Sequence, residues 1–271
     1  MAYRCKSLIT TEGDSSTQDK RLSICLGADG FSFSVMTVSG QLLTFGEVEG
    51  THASSITDAT RELKAFFSEV GIRSLGYKAV ELIVISDEST WVPDELYSSV
   101  ANRQYLRLLG SSAQSVMSCQ VKSLGSTMVF SANDQLVMAF KVALPGVTVM
   151  NQHARMVQFL SRSTDHPLLV SHWRQGRVDL AAMNGGKYLY GNTLSFSNPD
   201  EALFQVVEVM KTFGLDTPDA ELLLCGDIGR DMYARLRPYF PVTTLYNGSI
   251  SGFGSPEFKR LHTYRHALIL M

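Results

Sequence analysis

The chain has 271 residues, of which 45% are apolar and 18% charged, with a formal net charge of −2. This is a globular composition, long enough for two ordinary domains with their own cores. It argues against nucleic-acid or membrane-surface binding by bulk charge, and no apolar stretch reaches the roughly 18 residues of a membrane span.

Residues 1–20 are mostly polar, lack an apolar signal core and read as a flexible arm with nothing to bury, so export is not expected. The four cysteines, Cys5, Cys25, Cys119 and Cys225, are far apart and form no CxxC pair. Cys25 and Cys225 sit inside apolar runs and read as buried thiols, which points to a reducing, cytoplasmic setting.

The first strand begins at Leu22-Ser-Ile-Cys-Leu26. Asp29-Gly30 predicts a two-residue type I′ hairpin turn, and Phe31-Ser-Phe-Ser-Val35 alternates at period two, as a half-buried strand does. Ser39-Gly40 turns the chain into a third strand, Gln41–Phe45. A helix follows, with Ser55 or Thr57 as its N-cap, Ile56, Ala59, Leu63, Phe66, Phe67 and Val70 at helical spacing, and Gly71 as its stop. Val80–Ile85 is an aliphatic run suited to a central strand covered on both faces.

A second copy starts near Pro167. Its strands read as Leu168–Val170, Val178–Met183 and Lys187–Tyr190, with Gln175-Gly176 and Gly185-Gly186 at the turns. Asn198-Pro-Asp-Glu201 opens a helix that stops at Gly214, and Glu221–Cys225 is again a central strand. Gly30 and Gly176 are 146 residues apart, as are Gly40 and Gly186; Gly71 and Gly214 are 143 apart, and the pair Glu81 and Asp87 meets Glu221 and Asp227 at 140. Short loop deletions produce such a slow drift, whereas chance matches scatter. Asn151 and Asn247 are then only 96 apart, so the first half carries about 44 extra residues, placed at about 89–133. That insertion holds an amphipathic stretch, Asp94–Leu109, and two strand-like pieces, Met117–Val121 and Thr127–Phe130. Each half ends in a predicted helix, near Gln152–Ser161 and Pro256–Ile269.

The expected fold is therefore α/β: two tandem ribonuclease-H-like lobes, each βββαβαβα, with right-handed crossovers and a small insertion in the first lobe. The lobes span 21–162 and 163–271 and leave a cleft between them. Order, duplication and insertion resemble the actin-like ATPase superfamily, which includes actin, sugar kinases and bacterial assembly ATPases, over about residues 21–271. More narrowly, Leu22-Ser-Ile-Cys-Leu-Gly-Ala-Asp-Gly-Phe-Ser-Phe-Ser34 looks like the opening of an uncharacterised bacterial family described with that fold.

The resemblance implies ATP with Mg²⁺ as the cofactor, held by the first hairpin of each lobe and by a glycine-bearing adenosine loop. Carried over residue by residue, it gives nucleotide-binding candidates Asp29, Gly30 and Ser32 in the first lobe, Gly176 in the second, and Gly226 and Asp227 at the adenosine position. Asp87 ends the equivalent first-lobe strand, at the edge where open α/β sheets bind ligands. The pattern is worn at all three loops. His172-Trp-Arg-Gln-Gly176 stands in place of Asp-x-Gly-Gly-Gly, Gly226 is one glycine where two are usual, and two-residue turns leave few N–H groups for a phosphate.

Bland readings stand beside each candidate: Asp29-Gly30 as a turn, Asp87 and Asp227 as helix N-caps, Gly226 as punctuation. Trp173 and Arg174 could stack on a base or simply pack. His262 and His266 are four apart on a predicted helix without a third metal ligand, and His153, His166 and His172 have no metal spacing. Asp29, Glu62 and Asp87 match the element order of a two-metal nuclease of this fold but not its strand-centre position. GxxxxGK[ST], GxGxxG after a strand and GxSxG are absent.

The function read from sequence is a worn actin-like fold acting as a protein-interaction or regulatory module with weak or no nucleotide binding. It has an unidentified protein partner, with no catalytic or metal-binding residue assigned. The alternatives are an ATP-dependent actin-like protein and, behind it, a metal-dependent nuclease.

Overall fold

The computed structural model describes residues 3–11, 19–50, 55–162, 166–248 and 250–271. The first part of the chain runs β1 (Arg4–Thr10), β2 (Lys20–Leu26), β3 (Gly30–Thr37), β4 (Gln41–Glu49), α1 (Ile56–Glu69) and β5 (Ala79–Val84). An inserted unit follows, with β6 (Ser89–Pro93), α2 (Asn102–Arg107), β7 (Val116–Val121) and β8 (Ser126–Ser131), then α3 (Asp134–Ala143), β9 (Thr148–Asn151) and α4 (Gln152–Leu160). The second part runs β10 (Leu168–Arg174), β11 (Arg177–Asn184), β12 (Lys187–Ser195), α5 (Pro199–Thr212), β13 (Glu221–Gly226), α6 (Arg230–Leu236), β14 (Val242–Leu245), β15 (Gly252–Phe253) and α7 (Ala267–Leu270).

The two main sheets share one topology. Strand order is β4-β3-β2-β5-β9 in the first and β12-β11-β10-β13-β14 in the second, with the three-stranded β6-β8-β7 sheet apart. In each, a meander of three antiparallel strands is extended by two parallel strands reached through helices. Local chemistry starts these elements where the residues dictate. Ser55 accepts the Asp58 N–H at the start of α1, and Asn198 accepts the Glu201 N–H while Glu201 takes the Ser197 N–H at the start of α5.

Strand alternation sorts side chains into layers. Leu22, Ile24 and Leu26 on β2 face α1 and α3 with Phe31, Phe33, Phe66, Phe67 and Phe140 in one core. The opposite face of that sheet, with Phe45 and Ile83, packs with α4 and α7 against Val170, Ala181 and Leu223 of the second sheet. Leu169, Leu180, Leu222 and Leu224 turn the other way, toward α5 and α6. The molecule is thus five layers deep, and α4 and α7 bind the two sheets to each other. Burial in this shared core removes water from both sheets at about 25 cal/mol per Å² of apolar area.

Three expectations change. The N-terminal arm is a strand over Arg4–Thr10, antiparallel to β4. Backbone pairing holds it, closing an otherwise open sheet edge, which an apolar-pattern reading does not register; residues 12–18 of the arm lie outside the described residues. The C-terminal helix at Pro256–Ile269 is two 3₁₀ turns, Pro256–Arg260 and Thr263–His266, followed by α7. Leu261 takes an extended conformation (ψ 124°) between them, so His262 and His266 do not share a helix face. The Asp29-Gly30 turn is not type I′. Neither residue has positive φ, Leu26 pairs with Phe31, and Gly27 N–H bonds Gly30 O at 2.9 Å across a four-residue loop.

Candidate functional site

The C-terminal ends of the parallel strands β2 and β5 open on a cleft of about 1160 Å³. Residues 27–29 and 86–88 line it from the first sheet, and Arg174, Gln175 and Arg177 of the β10–β11 hairpin face them. Ser115, Ser131 and Asn133 beside the inserted sheet complete the wall.

Two of its lining residues, Arg174 and Thr193, hold Asp179, which is fully buried at the third position of β11. Register assembles the partners. His172 lies opposite Asp179 on β10, and Thr193 lies opposite it on β12. Arg174 grips the carboxylate with two N–H donors, Nε to Oδ2 and Nη2 to Oδ1, both at 2.9 Å. Thr193 Oγ1 donates to Oδ1 at 2.7 Å, His172 Nδ1 stands 3.1 Å from Oδ2, and Gln152 Nε2 donates to Oδ1 at 3.3 Å. With its one proton aimed at the carboxylate, Thr193 Oγ1 accepts from His153 Nε2 at 2.9 Å.

The same groups tie the lobes together. Arg174 Nη1 reaches Asp87 Oδ1 at 2.9 Å, and Arg177 Nε reaches Asp87 Oδ2 at 3.4 Å. Gln152, the first residue of α4, donates to Ser86 O at 2.6 Å and accepts the Ser86 N–H at 3.0 Å. One arginine therefore spans the cleft between a second-lobe and a first-lobe carboxylate.

Electrostatics follow from this packing. Burial alone would raise the Asp179 carboxyl, but hydrogen bonds from His172 and Arg174 outweigh it and hold it well below the usual carboxylate range. Burial pulls Arg174 down, and Asp179 and Asp87 more than reverse this, so it stays firmly cationic. His153 is lowered by burial, against the pull of Asp179, and is neutral at pH 7. Burial pushes the Cys25 thiol up to about 12 and Cys119 to about 11, so neither is an activated nucleophile.

The sequence candidates fall into separate places. Asp29 is exposed on the rim, between the cleft and a second hollow of about 430 Å³ lined also by Gly30, Ser32 and Asp227. Asp87 lines the main cleft, where its carboxylate is taken by Arg174 and Arg177. Asp227 pairs with Arg265 at 3.4 Å. Gly176 (φ +64°) makes the two-residue β10–β11 turn. Gly226 (φ +79°) is buried against β10, where an added Cβ would lie 2.2 Å from the Trp173 carbonyl oxygen. Gly30 is held in the same way, 2.0 Å from Val48 O. Both glycines answer to neighbouring backbone.

His172 sits within β10, not in the loop, and Trp173 is buried, donating to Ser171 Oγ at 3.0 Å, so it offers no face to a base. Glu62 does not join Asp29 and Asp87 in the cleft. It stands near Tyr3, whose hydroxyl is pushed up to about 12 by burial and then by Glu62. Among the described residues, no three His, Cys, Asp or Glu side chains are placed to hold a metal ion, and no helix is long and apolar enough to cross a membrane. Sequence reasoning missed Asp179, Arg177, Thr193 and Gln152. One signal was there to find: Asp179 is a lone acid inside the apolar run Val178–Met183.

Two lobes of this topology around such a cleft make the actin-like ATPase fold. The chain is similar to a Bacteroides thetaiotaomicron protein with actin-like ATPase fold and unknown function, at 19% identity and TM-score 0.68, over 85% of this chain and 92% of that one. It is also similar to a chain of the PilM–PilN type IV pilus biogenesis complex (14% identity, TM-score 0.53, 93% and 97% covered). A third likeness is to the ethanolamine utilization protein EutJ from Carboxydothermus hydrogenoformans (8% identity, TM-score 0.50, 93% and 90% covered). These likenesses carry the fold. By sequence, the chain belongs to the DUF3822 family, proteins of unknown function, which it matches over residues 11–242. No curated protein sequence matches it.

Proposed function

We propose that this protein is a non-catalytic member of the actin-like ATPase fold that works by contact with a protein partner, with its nucleotide cleft given over to structure. The observation that carries the reading is Arg174. Its guanidinium lies between Asp87 and Asp179, on the hairpin where the fold would hold phosphate. A nucleotide phosphate entering there meets a cation already neutralised by two carboxylates. It must break a bidentate pair whose acid is wholly buried, at a cost of several kcal/mol. The neighbouring loop positions fit the same reading, since Gly30 and Gly226 serve close backbone packing. A protein-contact role agrees with the similarly folded chain that belongs to a PilM–PilN complex.

The test is a melting series with ATP and Mg²⁺, followed by single-turnover hydrolysis. Occupancy at about 100 times Kd would add about 2.7 kcal/mol to stability. A flat melting temperature at millimolar ATP and no phosphate release are expected. A rise in melting temperature, or ATP turnover abolished by Asp87→Asn, overturns the proposal in favour of the ATP-dependent alternative.

A further inference from the structure

The C-terminal ends of β2 and β5 open on the cleft. At their N-terminal ends lies a separate cavity of about 500 Å³, within the range of roughly 300–1,000 Å³ usual for small-molecule sites. Arg21 of β2 and Lys78, just before β5, line one side. Phe159, in the last turn of α4, and Arg162, just past it, line the other. Met36 and Met271, both buried, join Phe159 in an apolar floor.

Three cations, Arg21, Lys78 and Arg162, line this cavity, and no Asp or Glu does. The acids close by along β2 and β5, Asp19 and Glu81, stay outside the lining. Arg155 is fully buried behind the wall, where it donates to Leu268 O at 3.1 Å and to Met271 O. Arg21 donates to the same Met271 O at 3.1 Å. Glu81 serves both guanidiniums, 3.2 Å from Arg155 and 4.0 Å from Arg21. Burial lowers Arg155 to about 10; Glu81 pulls it up, and Arg21 and Arg162 push it down again, so Arg162 lies within electrostatic reach of the pair. The rear cations are thus met by fixed protein oxygens. Lys78 and Arg162 are exposed at the mouth, and among the described residues neither side chain has a hydrogen-bond or ion-pair partner. Their donors fit carboxylate or phosphate oxygens, and the floor beneath them fits hydrocarbon.

We propose that this cavity binds a small anionic amphiphile, its carboxylate or phosphate headgroup held by Lys78 and Arg162 and its short hydrocarbon chain laid on Met36, Phe159 and Met271. The site lies at the far end of the strands from the cleft, so it stands or falls separately from the ATP result.

The experiment is isothermal titration calorimetry on the full chain with octanoate, octyl phosphate, octylamine and acetate. Octanoate and octyl phosphate are expected to bind, more weakly as salt rises, and the tighter of the two identifies the headgroup. Octylamine should not bind. Acetate has the charge without the chain and should bind at least about tenfold more weakly than octanoate. Lys78→Glu with Arg162→Glu should weaken octanoate by about tenfold or more and confer binding of octylamine. Lys78→Gln with Arg162→Gln should weaken octanoate without conferring amine binding, with the melting temperature showing that each variant is folded. Binding of neither anion, equal binding of octanoate and octylamine, acetate as tight as octanoate, or indifference to both pairs of changes overturns the proposal.

Discussion

The β2–β3 and β10–β11 hairpins hold equivalent places in two lobes of one topology, yet differ in chemistry. The first is a four-residue loop with an exposed acid, Asp29, and no buried charge. The second turns in two residues and carries the polar centre of the molecule, Asp179 with Arg174, His172 and Thr193. On the matching face of β3 the first lobe carries serines, Ser32 and Ser34, with Ser34 bonded to Ile269 O of α7, whereas the second lobe places there a charge network that reaches across to Asp87. Duplication thus preserved the strand order, which backbone pairing and crossover handedness set, and left the hairpin side chains free to diverge.

The largest effect should come from removing the buried acid. Asp179→Ala strands Arg174 and the Thr193 hydroxyl, and should cost about 3–5 kcal/mol in urea unfolding. Asp29→Ala, at the matching hairpin, should stay within about 0.5 kcal/mol. Equal costs would break the comparison.

Next is pH. His266, packed on Phe45 beside the first hairpin, is lowered to about 4 by burial and by Arg265 and His262. Its folded pKa lies below the unfolded value of about 6.5, so stability is full above that pH and is lost as pH falls toward about 4, by up to about 3 kcal/mol. Asp179 works in a separate window. Its folded pKa is below the ordinary value, so its contribution is full above about pH 4 and is lost only in stronger acid. His266→Phe should flatten the slope between about pH 4 and 6.5 in chemical denaturation measured across that range. An unchanged slope would place the acid sensitivity elsewhere.

Gly226→Ala comes third. It forces a left-handed φ and a Cβ into the Trp173 carbonyl, and should cost about 2 kcal/mol by thermal unfolding. The matching first-lobe residue, Ser86, makes hydrogen bonds instead and should tolerate Ala at about half that cost.

The smallest effect belongs to the bridge across the cleft. Asp87 is half exposed, so Asp87→Asn should cost about 0.5 kcal/mol. Small-angle scattering or spin-label distances should nevertheless report a wider cleft. A large stability loss with no change in shape would mean that Asp87 serves the first lobe alone.

Much of the architecture could be read from residues. Period-two alternation at Phe31–Val35, the cap at Asn198-Pro199 and the constant spacing of Gly30 with Gly176 and Gly40 with Gly186 are local signals, and local signals survive in a sequence. The strand at Arg4–Thr10 was not legible, because it depends on an edge supplied by β4. Nor was the break at Leu261, where burial of Phe258 and α7 in the shared core overrides helical spacing.

The sequence by itself determined the repeated strand order of the two lobes from β2 onward, the duplication, the insertion and the residue types at the hairpins, since these follow from periodicity, turn chemistry and spacing. Only the tertiary structure decided what those residues do. Whether Arg174 stacks, binds phosphate or locks two lobes depends on which carboxylates the register of β10, β11 and β5 brings within 3 Å, and no spacing along the chain encodes a distance across a cleft.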